Sequence, residues 1–309
     1  MKFARAFCKE LDSQLSPYKA REHYINEDCE FFGQELTFLC EDPNCRVRLT
    51  PVGIYMPRKS KRALHFRSNT VHLKGCDLSQ NHVNGSKSQK AAKHEDEYKL
   101  TNFPSELVLS PPPRIQSGVK VGTDVDTGSE GSTSVSSNGS STDSKRETKT
   151  RTRYLDWVVD CFLSGDEQSK SGLFKIGIKT KPFIKFFKKV HYFSDETGLI
   201  YHGPIDQMKL YPDGAIGLRF KDFTWQDQKR YRIWAYLPVE IIDSSRRKKA
   251  FRTEMEELKK AHDEGDAVEA FFVGAYPEKK TISGKNGTDF EGYSIEITNI
   301  DHLSLVFSK

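Results

Sequence analysis

The chain has 309 residues, 48 Lys and Arg against 43 Asp and Glu, and a formal net charge of +5, with a mean hydropathy of −0.65. That length predicts about two domains, and no apolar run reaches the roughly 20 residues a membrane helix needs. The opening Met1-Lys-Phe-Ala-Arg-Ala-Phe-Cys-Lys9 breaks up too early for a secretory signal. Six cysteines without an even framework argue against a disulfide scaffold, so a reducing, cytoplasmic location is expected.

In chain order, Tyr18–Ile25 and Gln34–Leu39 read as short strands leading into a turn, and Cys8 and Cys29 read as small packed residues. The first chemical signal is Cys40-Glu-Asp-Pro-Asn-Cys45, followed by His65-Phe-Arg67 and His72-Leu-Lys-Gly-Cys76. Two cysteines around a Pro-Asn turn bring two thiolates together, and a His and Cys four apart beside a Gly supply the other pair. Four such ligands, Cys40, Cys45, His72 and Cys76, are what tetrahedral zinc requires, and with no open position the site would be structural. His65 is the rival fourth ligand, with Cys29 and His82 behind it. This cysteine pair, the His-Phe and the downstream His and Cys resemble the zinc-binding amino-terminal region of bacterial competence CoiA-like proteins, over about residues 15–80. The resemblance implies a zinc module in a DNA-related setting. In that family a nuclease region follows, but no acidic cluster with a following Lys stands here as a nuclease centre.

Residues 81–110 are polar, and Pro111-Pro-Pro113 closes a first domain, 1–110. Residues 111–152 are rich in Ser, Gly and Thr, cannot bury a core, and are expected to be a flexible linker ending in a basic run. The second domain, 153–309, opens with helical spacing at Leu155, Val158, Val159 and Phe162, then a strand over Leu173–Ile178. Phe183, Phe186, Phe187 and Val190 predict an amphipathic helix from Pro182. From Gln168 to Ser194 there are seven lysines and no acid, a bias that suits phosphate contact.

An interrupted strand over Leu199–Leu210, a turn at Tyr211-Pro-Asp-Gly214 and a second strand, Ala215–Phe223, are expected next. The third strand is Lys229-Arg-Tyr-Arg-Ile-Trp-Ala-Tyr-Leu237. Its strict alternation puts Tyr231, Ile233, Ala235 and Leu237 on one face and Arg230, Arg232, Trp234 and Tyr236 on the other. A helix over about 244–262, a strand Ala267–Ala275, a polar loop, a strand Tyr293–Ile300 and a tail Leu303–Phe307 complete the chain. Three strands, a helix and two strands is an order that resembles OB-fold single-stranded nucleic-acid-binding domains, which use the face of strands two and three and the loops after strands one and four. The resemblance implies a site of Arg219, Lys221, Arg230, Arg232, Trp234 and Tyr236, with Lys279, Lys280 and Lys285 in the later loop. From Arg153 onward 25 basic residues face 24 acidic ones, so binding must come from a local patch.

The expectation is an α+β protein: a small zinc-stabilised module, a linker and an OB-like barrel with added helices. Its function would be non-enzymatic binding of single-stranded nucleic acid, DNA before RNA. The alternatives are an adaptor holding a protein partner in a mobile-element, phage-defence or repair complex, and a CoiA-like nuclease. No Gly-x-Ser-x-Gly, P-loop or dinucleotide fingerprint occurs, and His191 and His202, near Asp195 and Glu196, are expected in a turn, so no residue is assigned a catalytic role.

Overall fold

Three sheets and five helices make up the described part of the computed structural model, residues 2–55, 63–76, 78, 103–109, 151–193, 198–283 and 289–307. The amino-terminal sheet uses very short strands: β1 (Lys2–Phe3), β2 (Ala6–Cys8), β3 (Ser13–Leu15), β4 (Phe38–Leu39), β5 (Arg48–Val52) and β6 (His65–Arg67), in the order β1-β6-β5-β4-β2-β3. Its core is Phe3, Ala6, Cys8, Leu15, Ala20, Leu36, Phe38, Leu49, Ile54 and Phe66. The strand expected at Tyr18–Ile25 is instead helix α1 (Pro17–Ile25). Ser16 caps it by accepting the Lys19 N–H, and Pro17 fills a first-turn position whose N–H has no helical partner.

A second sheet joins β7 (Glu106–Leu107), β8 (Arg151–Thr152), β9 (Leu173–Ile176) and β10 (Lys179–Pro182), in the order β10-β9-β7-β8. β7 runs parallel to both β8 and β9. The expected helix α2 (Leu155–Ser164) follows β8 and buries Leu155, Val158 and Val159; α3 (Glu167–Lys170) is a single capped turn. The helix expected from Pro182 does not form. Phe183–Phe186 is one 3-10 turn, and the chain then extends into β11 (Phe187–Lys189), paired in parallel with Ile200–His202. Phe187 gains a stacked partner in Phe162, ring centroids 3.9 Å apart, and the extended backbone is what brings these rings together. Of the linker expected over 111–152, residues 111–150 lie outside the described residues, while Arg151–Thr152 are not linker but strand β8, paired with β7.

The third sheet carries the long strands: β12 (Ile200–Leu210), β13 (Ile216–Gln226), β14 (Lys229–Leu237), β15 (Val268–Val273), β16 (Glu278–Ser283), β17 (Asp289–Glu296) and β18 (Leu303–Phe307). Their order is β16-β17-β14-β13-β12-β15-β18, with β11 also on β12. The β14–β17 pairing is parallel, while β13 and β15 flank β12 antiparallel. Helices α4 (Val239–Asp243) and α5 (Lys248–Asp263) join β14 to β15, and α5 buries Phe251, Met255 and Leu258 as its spacing predicts. The expected turn is present, with Gly214 at φ 92° donating to the Tyr211 carbonyl at 2.9 Å. The first strand runs unbroken through Gly203 and Pro204, with a register shift at Ile205/Gln207 in place of an interruption. β17 and β18 lie near opposite ends of the strand order, yet only residues 297–302 separate them, and Ile295, Ile297, Ile300, Leu303 and Leu305 share one core. The sheet therefore curls into a half-barrel. The described residues are mixed α and β, with more strand than helix.

α1 ties the amino-terminal part to the rest. Tyr18 stacks on Trp157, with centroids 5.6 Å apart, and its hydroxyl donates to the buried Asp160 carboxylate at 2.5 Å. Glu22 accepts from Arg153 and Tyr154. Arg21 donates to the carbonyls of Gly53 and Ile54 and pairs with Glu254 of α5. Among the described residues no helix is long and apolar enough to cross a membrane.

Candidate functional site

Two candidate sites stand out, one in the amino-terminal part and one on β13 and β14. At the first, Cys40 follows β4, Cys45 precedes β5, and His72 and Cys76 follow β6. The Asp42 carbonyl accepts from the N–H groups of both Cys45 and Arg46, while the Asp42 side chain accepts from Asn44. Arg46 takes a left-handed φ of 44°, and its guanidinium returns to the Cys40 carbonyl at 3.1 Å. This reversal turns both thiols inward. Across from them Cys76 N donates to the Leu73 carbonyl, with Gly75 at φ 93° completing the turn.

The four ligand atoms lie within 4.8 Å of one another, and all four residues are buried. Cys40 Sγ is 3.7 Å from Cys76 Sγ, and His72 Nδ1 is 3.5 Å from Cys45 Sγ and 3.4 Å from Cys76 Sγ. A tetrahedral ion with metal–sulfur bonds of about 2.3 Å and metal–nitrogen bonds of about 2.0 Å sets these separations at roughly 3.8 and 3.5 Å. Without a cation, burial pushes the Cys40 thiol up to about 12, with the neighbouring Cys76 and Cys45 adding to the rise. Burial also works to raise Cys45, but N–H groups of Val47 and Leu73 outweigh it and hold that thiol low. Close thiols in a buried pocket ionise together only with a positive charge between them. The set can therefore hold a metal ion. His65, the rival, sits inside β6 with its Nδ1 against the Ala63 carbonyl at 2.9 Å. Cys29 lies by His23 Nδ1 at 3.2 Å, away from the cluster. His82 lies outside the described residues.

The second site is a face of the half-barrel. β14 has the expected bounds and alternation: Tyr231, Ile233, Ala235 and Leu237 are buried, while Arg232 and Trp234 are half-buried and Arg230 and Tyr236 are exposed. The β13–β14 register sets Arg219 opposite Trp234, Phe223 opposite Arg232 and Trp225 opposite Arg230. Guanidiniums and rings interleave: Arg230 lies 3.3 Å and Arg232 4.1 Å from the Phe223 centroid, and Arg219 5.4 Å from Trp234. Phe290 of β17 comes to 6.4 Å from Trp234, and Tyr211 meets Tyr236 edge-on at 6.2 Å. Partial desolvation raises the Tyr236 phenol, as do the nearby Asp213 and Glu240.

Several expected residues are placed differently. Lys221 falls in the register shift between Arg219 and Phe223 and is exposed. Lys279 and Lys280 are in strand β16, and adjacent strand residues point to opposite faces. Lys279 meets the inward Tyr231 and pairs with Glu291 at 3.1 Å, while Lys280 lies 3.6 Å from Glu296. Lys285 lies outside the described residues. Phe223, Trp225 and Phe290 were not among the expected site residues. Trp225 is 69% exposed, and the signal for it was the same odd-numbered parity that Arg219 and Phe223 share. His202 is buried in β12, bonded to Glu269 at 2.7 Å and stacked flat on Phe271, and His191 bonds Asp222 at 2.9 Å, so neither histidine sits in an open turn. Asp195 and Glu196 lie outside the described residues.

No protein-family model matches the chain, and no curated protein matches it either.

Proposed function

We propose that the protein binds single-stranded nucleic acid, DNA in preference to RNA, through the outer face of β13 and β14, and carries a structural zinc ion on Cys40, Cys45, His72 and Cys76. The observation that carries this reading is the interleaving on one face of Phe223, Trp225, Trp234 and Tyr236 with Arg219, Arg230 and Arg232. Unpaired bases offer flat surfaces to rings, and guanidiniums hold the phosphates between them. The connectivity supports an OB-like barrel as the frame: strand one (β12) lies between strands two and four (β13, β15), and strand three (β14) lies parallel to strand five (β17). Three thiolates and an imidazole at tetrahedral separations favour zinc over oxygen-seeking ions such as magnesium or calcium.

The test measures fluorescence anisotropy of labelled single strands and duplexes at two salt concentrations. Trp234→Ala is expected to cost about 1–3 kcal/mol of single-strand affinity with its melting temperature nearly kept, since Ile233, Ala235 and Leu237 hold the core side. Unchanged affinity in a folded Trp234→Ala protein would rule this face out.

A further inference from the structure

Asp206 is an acidic residue set among the cations of the candidate face. It lies where β12 shifts register between Ile205 and Gln207, and a bulge of this kind re-aims a side chain. One carboxylate oxygen accepts from Arg219 Nε at 2.7 Å and the other from Arg232 Nη1 at 3.1 Å. The three side chains are only partly shielded, 23%, 28% and 38% exposed for Asp206, Arg219 and Arg232, so the cluster is open to a ligand. Both guanidiniums also rest against rings of the face, Arg219 by Trp234 and Arg232 by Phe223. An anion held through two oxygens by two guanidiniums reproduces how such groups grip the non-bridging oxygens of a phosphodiester.

Building on the nucleic-acid reading, we propose that Asp206 is a resident stand-in for a backbone phosphate: it holds Arg219 and Arg232 in phosphate-binding positions in the free protein and yields them to a phosphate of the incoming strand. The exchange swaps one anion for another, so charge alone gains little at this point. Tight binding then falls to ligands that bring bases for the rings along with the phosphate. Polyanions without bases are disfavoured.

The test titrates labelled oligothymidylate against wild type and Asp206→Asn, with inorganic polyphosphate as a competitor. Removing the resident charge should tighten oligothymidylate binding roughly tenfold. It should steepen the slope of log K against log salt by about 0.7, and make polyphosphate a stronger competitor. The gain should vanish when Arg219→Ala and Arg232→Ala are added; a gain that survives them would be a general charge effect and would overturn the proposal. Equal or weaker binding by Asp206→Asn at unchanged melting temperature would also overturn it, leaving the nucleic-acid reading intact. If Asp206→Asn melts early, Asp206→Ser carries the same expectations. A wild-type protein that binds no oligothymidylate overturns the reading and this proposal together.

Discussion

The amino-terminal sheet and the half-barrel solve the same problem with different means. The first is built from strands of two to five residues around ten buried side chains, with the Cys/His cluster beside them. The second has strands of up to eleven residues and a continuous apolar core running from α2 to β18, which also takes in Tyr18, Ala63, Leu64 and Leu107. Strands that short form few ladder bonds and bury little area, so a sheet of that kind needs a staple. The half-barrel has area to spare, and so one whole face of β13 and β14 is free to carry cations and rings. On the proposed reading, a metal ion on the Cys/His cluster adds to the small core of the first region what packing alone supplies in the second.

Stripping the metal should break the comparison most sharply. Zinc bound by sites of this type contributes apparent free energies of about 10–16 kcal/mol at neutral pH. Chelation, or Cys45→Ser, should therefore unfold the amino-terminal sheet while the half-barrel persists. Metal analysis should give about one zinc per native chain, and hydrogen exchange should show protection lost in β1–β6 alone. Simultaneous loss in β12–β15 would mean that the two regions are one cooperative unit. The opposite deletion, Ile233→Ala, removes a fully buried side chain of β14 and should cost about 2–5 kcal/mol. Denaturant titration should show that cost in the half-barrel transition, with metal content unchanged.

The contact between the regions can be weakened more gently. Tyr18→Phe takes away the hydroxyl that Asp160, 2% exposed, accepts from. A buried acceptor left short of a donor costs about 1–3 kcal/mol, and the Trp157 emission should report the loosened stack. Smallest is the acid response of Glu22. Burial works to raise this carboxyl, but the Tyr154 hydroxyl, Lys19 and Arg153 outweigh it and hold it below its usual value. A depressed carboxyl contributes stability above its unfolded value and loses it as pH falls through the lower folded one. Glu22→Gln should therefore lower stability at neutral pH by up to about 1 kcal/mol and show a shallower further loss on acidification. Equal acid slopes in thermal melts of the two proteins would remove Glu22 from the account.

Part of this was legible in the residues. The four-member Cys/His set depends on ligand type and on turns at Pro43-Asn44 and Gly75, all local, and those four residues are the ones that meet. β14 was legible to the residue because alternation is a local pattern. The helix α1, read as a strand over Tyr18–Ile25, carried a local signal too, in the capping Ser16 and the following Pro17. Residues 182–190 misled because Phe183, Phe186 and Phe187 repeat at helical intervals, while the partners that extend this segment, Phe162 and β12, are remote in sequence. Lys279 and Lys280 looked alike in a polar stretch, and only their pairing with β17 separates their faces. Asp206 reaches Arg219 and Arg232 where β12 and β13 both shift register, and no local pattern announces that.

The pairing of β7 with β8 has one more consequence. Glu106 lies beside Arg151 and Leu107 beside Thr152, so the chain departs from this small sheet and re-enters it at the neighbouring position. The register is fixed by β9 on one side and by the Arg151–Glu106–Lys175 ion pairs across the ladder, whatever is strung between. The strands that flank residues 108–150 are thus held side by side by this ladder and by the carboxylate of Glu106, which pairs with a cation from each neighbouring strand.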